Sequence, residues 1–317
     1  MDSAELQKLA RRSRSMREAG FALLGASGVL SLFLFVPISA GQKTAAPAPI
    51  TIATSTAPNP FAAVSIEAKA AIVYDLATGK VLYEKNADAQ LPLASLTKLL
   101  TVYAALSEFS PTTPITIPQD VTKLDAPHAF NAGQVFTLSD LARLTLTASL
   151  NDGAAAIAAA TATQEHRTEN EMLASAATAL NLSQTYAVNG NGLDVNTAIS
   201  GGYGSARDIA RLAGALAAQA PSIAEATTHP YAEASSAGGT AFKVKNTDSI
   251  VTTVPGLLLS KTGYTDLAGG NLALVFDAGM QHPIAVVVLG STEKSRFTDG
   301  TALVNATLAH FAGLPSL

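Results

Sequence analysis

The stretch LASLTKLL, Leu93–Leu100, sets a serine and a lysine three residues apart where an apolar, helix-periodic run begins. The pattern predicts a helix over Ser95–Ser107. Positions i and i+3 share a helix face, so Lys98 would lie one turn above Ser95, within reach of its hydroxyl. Backbone N–H groups at a helix start favour negative charge, which suits an alkoxide or an oxyanion. By itself the pair reads equally well as a capping serine with an exposed lysine. A second copy of the spacing, Ser291–Lys294, follows a strand and reads as a solvated turn.

Upstream, Ala71–Leu76 and Lys80–Glu84 read as two strands joined by a tight turn at Ala77-Thr78-Gly79, and the folded part begins near Ala63. Downstream, the periodicity from Leu138 to about Ala218 is mostly helical, with long alanine-rich faces. Leu257–Tyr264, Asn271–Asp277 and Ile284–Gly290 read as three further strands, and a helix over Thr298–Phe311 follows. Strands at both ends and helices in the middle predict an α/β (α+β) fold. It would be a five-stranded antiparallel sheet flanked by helices, with a helical subdomain inserted at about 108–220.

Hydrophobic residues make up 48% of the 317 and charged ones 14%, which favours a packed core over disorder. A net charge of -4 gives no reason to expect nucleic acid. Cysteine is absent, which excludes disulfides and thiolate metal sites, and the five histidines show no metal-ligand spacing. No metal or other cofactor is expected.

The N-terminus divides into a basic tail (1–19, with Lys8, Arg11, Arg12, Arg14 and Arg17), an uncharged apolar run (20–40) and an Ala/Thr/Pro-rich linker (41–62). The run just suffices to cross a bilayer, and the preceding positive charge places the N-terminus in the cytoplasm. The expectation is a single-pass membrane anchor with the domain at 63–317 outside the cell membrane. Cleavage after Ile38-Ser39-Ala40 and secretion is the alternative.

Two more motifs carry possible chemistry. Ser149-Leu150-Asn151 offers a hydroxyl and an amide on one short loop, suited to relaying a proton and holding a peptide, though these are also turn residues. Lys261-Thr262-Gly263 ends a strongly apolar strand, where a cation, a hydroxyl and a residue without a side chain suit an extended peptide ending in a carboxylate. It reads equally as a strand running into a turn. Intervals of 54 residues (149 − 95) and 112 residues (261 − 149) leave room for the helical insertion. Ser-x-x-Lys, Ser-x-Asn and Lys-Thr-Gly together are the signature of penicillin-binding proteins and related β-lactamases.

From about Ala63 to Phe311 the chain resembles the serine-type D-alanyl-D-alanine carboxypeptidases, the low-molecular-mass penicillin-binding proteins. Beyond the trio, AIVYDLATGKVLYEKNADAQLPLASLTKLLT, NGNGLD, GGYGSARDIARLA, KTGYTDLAGGNLA and VVVLGSTEKSRF are similar to family segments in the family's order. The resemblance implies that Ser95 is the acylated nucleophile, Lys98 its general base, and Ser149 with Asn151 the relay and positioning pair. It implies that Lys261, Thr262, Gly263 and Tyr264 line the substrate strand, with an oxyanion hole from the N–H groups of Ser95 and Tyr264. Arg296 occupies the place of an arginine that helps hold the terminal carboxylate. Expected partners are peptidoglycan stem peptides ending in D-Ala-D-Ala, and β-lactams as covalent inhibitors. Burial and a second cation such as Lys261 would keep Lys98 neutral.

Two departures stand out. The family often carries a C-terminal β-domain and membrane helix, whereas this chain stops soon after the catalytic domain. The last acidic residue between Asn151 and NGNGLD is Glu171, and no Glu sits where a class A β-lactamase places its deacylating base. The rival readings are a D,D-endopeptidase, a β-lactamase, a silent wall-binding protein and, from Gly201-Gly202-Tyr203-Gly204, a nucleotide-binding module. That last motif lacks the third glycine of a dinucleotide fingerprint, and Ser205 with Asp208 reads better as a helix cap.

Overall fold

One sheet with two apolar faces organises the molecule. The computed structural model describes residues 59–313. Strands β1 (Ala70–Asp75), β2 (Val81–Lys85), β3 (Leu257–Thr265), β4 (Gly269–Asp277) and β5 (Pro283–Ser291) form an antiparallel sheet in the order β3-β4-β5-β1-β2. Side chains alternate across a strand. Ile72, Ala273, Val275, Val287 and Leu289 therefore enter one core, and Ala71, Val73, Leu274, Val286 and Val288 the other.

The first core is covered by α1 (Thr97–Glu108), α2 (Leu138–Ala148), α3 (Asn151–Glu165), α4 (Glu169–Ala179), α5 (Ala206–Gln219) and α6 (Pro221–Ala226). The second is covered by α7 (Ser295–Phe311), which buries Leu303 and Val304 against it. Cutting a buried leucine such as Leu303 to alanine costs about 2–5 kcal/mol. The sheet is thus covered on both faces, with β3 and β2 as its two edge strands.

The expected strands are present to within two residues at each end. The β1–β2 turn forms because Asp75 Oδ1 accepts the N–H groups of Ala77 and Thr78, at 2.9 and 3.0 Å, and Gly79 takes φ 73°. Packing near the expected start at Ala63 already includes Phe61, which is buried with its ring 5.8 Å from that of Tyr83. Several expectations need correction. The helix predicted from Ser95 is a 3-10 turn over Ala94–Leu96 that leads into α1. The helix predicted from Thr298 starts at Ser295, where Thr292 Oγ1 accepts the Ser295 N–H at 2.9 Å. Ser291 is not solvated: it is buried and donates to Asp299 Oδ2 at 2.7 Å, and only Lys294 of that copy faces solvent.

The span 138–218 is mostly helical, as expected, with one interruption. Between α4 and α5, Tyr186–Ala187 and Gly202–Gly204 join Leu91–Pro92 in a small three-stranded ribbon. The ribbon anchors the chain entering Ser95. Short hairpins at Pro114–Thr116 with Val135–Thr137, and at Tyr231–Ser235 with Ala241–Lys245, were also not expected. Ser205 Oγ accepts the Asp208 N–H at 3.1 Å and caps α5, so the glycines at 201–204 belong to the ribbon and the cap. The apolar run at 20–40 lies outside the described residues. Among the described residues, no helix is long and apolar enough to cross a membrane.

Candidate active site

Ser95 sits in the 3-10 turn, partly exposed, and is carried there by Ala94 in the left-handed region (φ 49°). Lys98, in the first turn of α1, is fully buried. Its Nζ lies 2.8 Å from Ser95 Oγ, 2.7 Å from Asn151 Oδ1 and 2.6 Å from the Asn191 carbonyl. The Asn151 amide is oriented by its own Nδ2, which donates to the Asp125 carbonyl at 2.9 Å. Two of the three partners of Lys98 are therefore carbonyl oxygens, which only accept. A neutral amine has two N–H bonds and one lone pair. With both N–H bonds given to the carbonyls, the lone pair faces the Ser95 hydroxyl.

The electrostatics favour that state. Burial brings Lys98 down from the usual lysine value to about 7, against an opposing pull from Asp152. Asp152 is itself buried and its Oδ2 accepts from the N–H groups of Ala129 and Phe130.

Ser149 closes α2 in the left-handed conformation (φ 60°), which turns the chain sharply before Asn151 opens α3. Its Oγ accepts from Lys261 Nζ at 2.9 Å, and the same nitrogen donates to the Thr262 carbonyl at 2.7 Å. Lys261 is almost fully buried. Burial, then repulsion from Lys98 and Arg296, hold it well below the usual lysine value, and Asp248 opposes them. The expected mutual effect of the two lysines thus falls on Lys261, while Lys98 is governed by burial.

Thr262 Oγ1 pairs with Thr247 Oγ1 at 2.6 Å. Gly263 runs against the nucleophile turn: a Cβ there would stand 2.8 Å from the Leu93 carbonyl and 3.3 Å from the Ser95 nitrogen. Tyr264 is 47% exposed at the end of the strand. Arg296, at the start of α7, donates from Nη1 to the Gly263 carbonyl at 2.8 Å and lies over the Phe297 ring. Its Nε is buried and has no hydrogen-bond partner among the described residues.

All nine residues singled out from the sequence therefore lie on the nucleophile turn, the α2–α3 junction, the β3 edge or the start of α7. Sequence reasoning missed three contributors. The Asn191 carbonyl acts through the backbone, and NGNGLD was the only signal for it. Asp152 directly follows the second motif but is not part of it. Asp248, with Ser260 Oγ donating to its Oδ2 at 2.6 Å, lies in a loop the motifs do not cover. The two acids near the second motif also have defined places. Glu171 accepts the Thr168 N–H in the capping box of α4. Glu169 accepts the Gly190 N–H at 3.1 Å and lines a groove of about 480 Å³ with Asp120, Asp125 and Asp194.

A serine hydroxyl facing a buried amine, with a second lysine on the adjoining strand edge, is the arrangement of a serine peptidase that works through an acyl-enzyme. The family model described as D-alanyl-D-alanine carboxypeptidase matches residues 53–293, and the chain belongs to that family. It is 29% identical over 270 residues to a D-alanyl-D-alanine endopeptidase of Pseudomonas aeruginosa, covering 80% of this chain and 83% of that protein. It is 30% identical over 255 residues to the D-alanyl-D-alanine carboxypeptidase DacA of Escherichia coli K12, covering 75% of this chain but only 60% of DacA. Among solved structures it resembles penicillin-binding protein D2 of Listeria monocytogenes in its ampicillin-bound form. There the TM-score is 0.65 at 27% identity, over 77% of this chain and 98% of that one.

Proposed function

We propose that this chain removes the terminal D-alanine from peptidoglycan stem peptides through an acyl-enzyme on Ser95. The observation that carries the proposal is the set of partners around Lys98 Nζ, two carbonyl oxygens that only accept and the Ser95 hydroxyl at 2.8 Å. Lys98 takes the Ser95 proton as Oγ attacks the carbonyl of the penultimate residue. The N–H groups of Ser95 and Tyr264 hold the developing oxyanion, an effect typically worth about a hundredfold or more per donor. Ser149, in contact with Lys261, passes a proton to the departing D-alanine amine. Lys261, Thr262 and Arg296 hold the terminal carboxylate. Water then resolves the acyl-enzyme.

A β-lactam enters the same site and is released slowly. Glu171 is committed to its capping box and Glu169 to the Gly190 N–H, so neither is placed as a free deacylating base. The basic tail and the apolar run support an anchor at 20–40 that holds a catalytic domain at 63–317 outside the cytoplasmic membrane. Likeness to the Pseudomonas endopeptidase favours a second reading, cleavage of D,D cross-links by the same residues.

The test is release of D-alanine from a pentapeptide ending in D-Ala-D-Ala, beside release of monomers from cross-linked dimers, for wild type and Ser95→Ala. Serine-dependent D-alanine release is expected. Product only from the dimer would replace the first reading with the second, and no turnover of either would leave a silent binding protein.

A further inference from the structure

A carboxylate outside the reacting groups holds the peptide that in turn holds Lys98. Glu169, the first residue of α4, is half-buried, and its Oε2 accepts the Gly190 N–H at 3.1 Å. Among the described residues its side chain makes no other hydrogen bond and enters no ion pair. The Gly190 carbonyl accepts from Thr101 Oγ1 at 2.6 Å, and Thr101 lies on α1 one turn beyond Lys98. The next carbonyl in the chain, that of Asn191, accepts from Lys98 Nζ at 2.6 Å.

The loop around these peptides is closely fitted. A Cβ on residue 190 would collide with Ala158 of α3, and one on residue 192 with the Ala94 carbonyl oxygen of the nucleophile turn. Asn189 Oδ1 accepts the Gly192 N–H at 2.7 Å and its Nδ2 donates to the Leu193 carbonyl at 3.0 Å, which closes the loop on itself. Lys98 Nζ is aimed at Ser95 Oγ by its two carbonyl partners. One is the Asn151 amide, which its own Nδ2 anchors on the Asp125 carbonyl. The other is a backbone carbonyl, and it stays in place only if its loop does.

We propose that Glu169 is a positioning residue for the reaction: by holding the Gly190 N–H it keeps the Asn191 carbonyl on Lys98 Nζ and so keeps Lys98 aimed at Ser95. A displacement of about 1 Å in such a group costs about a hundredfold in rate. An acid at this position has one other use, since a carboxylate in the first turn of α4 interacts favourably with the N–H groups at that end. The two uses make opposite demands. The helix end needs a negative charge, which Asp supplies as well as Glu. The loop needs an acceptor at the reach of a Glu side chain, charged or not.

The inference rests on the proposed roles of Ser95 and Lys98. Acylation of Ser95 by a fluorescent penicillin is followed in single turnovers over a concentration series, which separates the first-order acylation rate from the affinity of the complex that precedes it. Wild type, Glu169→Gln, Glu169→Asp and Glu169→Ala are compared well below their melting midpoints. Gln presents an amide oxygen at the same reach; Asp keeps the charge and withdraws the acceptor by one methylene. The acylation rate is expected to fall about tenfold or more in Asp and Ala and to return to within about threefold of wild type in Gln. Affinity is expected to hold, because β3 and Arg296 are untouched.

Asp at the wild-type rate with Gln impaired would assign Glu169 to the helix end and overturn the proposal. So would Gln as slow as Ala, Ala at the wild-type rate, or a loss confined to affinity. If Ala does not fold, the order of Asp and Gln decides. Absence of any adduct on wild type strikes the reading of Ser95 itself, and the role of Glu169 falls with it.

Discussion

The amine of Lys98 and the hydroxyl of Ser95 lie 2.8 Å apart, and the other two partners of that amine are oxygens that cannot donate. The contact therefore has one productive proton arrangement, O–H toward N, available only while Lys98 is neutral.

A pH dependence follows. Lys98 is brought to about 7 by burial. Below that it is protonated and cannot accept the Ser95 proton; above it the base is available. The acylation rate is expected to rise through about pH 7, falling roughly tenfold per unit on the acid side. Lys98→Arg keeps a cation that does not deprotonate and should cut the rate about 100- to 10,000-fold at every pH. Stopped-flow acylation across pH measures both. A flat profile for wild type, or an active Lys98→Arg, would remove Lys98 as the base.

Ser149 holds a left-handed backbone that suits glycine. Ser149→Gly should therefore preserve the α2–α3 junction while deleting the acceptor of Lys261. Melting close to wild type, with kcat lower by about 100-fold or more, is expected from thermal denaturation and D-alanine release. A variant that melts normally and turns over normally would show that the hydroxyl relays nothing.

Gly263 permits β3 to approach the nucleophile turn. Gly263→Ala places a methyl 2.8 Å from the Leu93 carbonyl and close to the Ser95 nitrogen, both backbone atoms that cannot step aside cheaply. The strand must retreat, and one oxyanion donor goes out of place. Acylation should fall on the order of a hundredfold. Wild-type rates in this variant would mean that the N–H groups of Ser95 and Tyr264 do not form the hole together.

How much of this was legible beforehand depends on where the information resides. The Ser95–Lys98 pair and Lys261 were each ambiguous alone and became readable from the three motifs together, in their order; one helical turn then fixes the geometry of the first pair. The five sheet strands were readable from their alternation and apolar runs. The 3-10 start of α1 was not, since Ala94 has no residue-type mark of its φ. Nor was the contact of Lys98 with the Asn191 carbonyl, which spans 93 residues and uses an atom every residue possesses. The Asp248–Ser260 bond joins a loop to a strand by a tertiary contact that no periodicity encodes.

Arg296 offers a buried Nε without a hydrogen-bond partner among the described residues, beside the Gly263 carbonyl it already holds through Nη1. Arg296→Gln should raise KM for substrates ending in a carboxylate by about 10- to 100-fold, the loss expected for a charged hydrogen bond. A substrate amidated at its C-terminus should show little difference between the two proteins. Equal penalties on both substrates would assign Arg296 to holding β3 in place and not to the carboxylate.

The most direct measurement is the intact mass of the protein after exposure to a fluorescent penicillin, followed by peptide mapping, with Ser95→Ala alongside. One adduct of the whole antibiotic on wild type, mapping to the peptide that contains Ser95 and missing from Ser95→Ala, is the expected result. An adduct that persists on Ser95→Ala, or a wild type that neither carries an adduct nor consumes the antibiotic, would contradict the assignment of Ser95 as the acylated nucleophile.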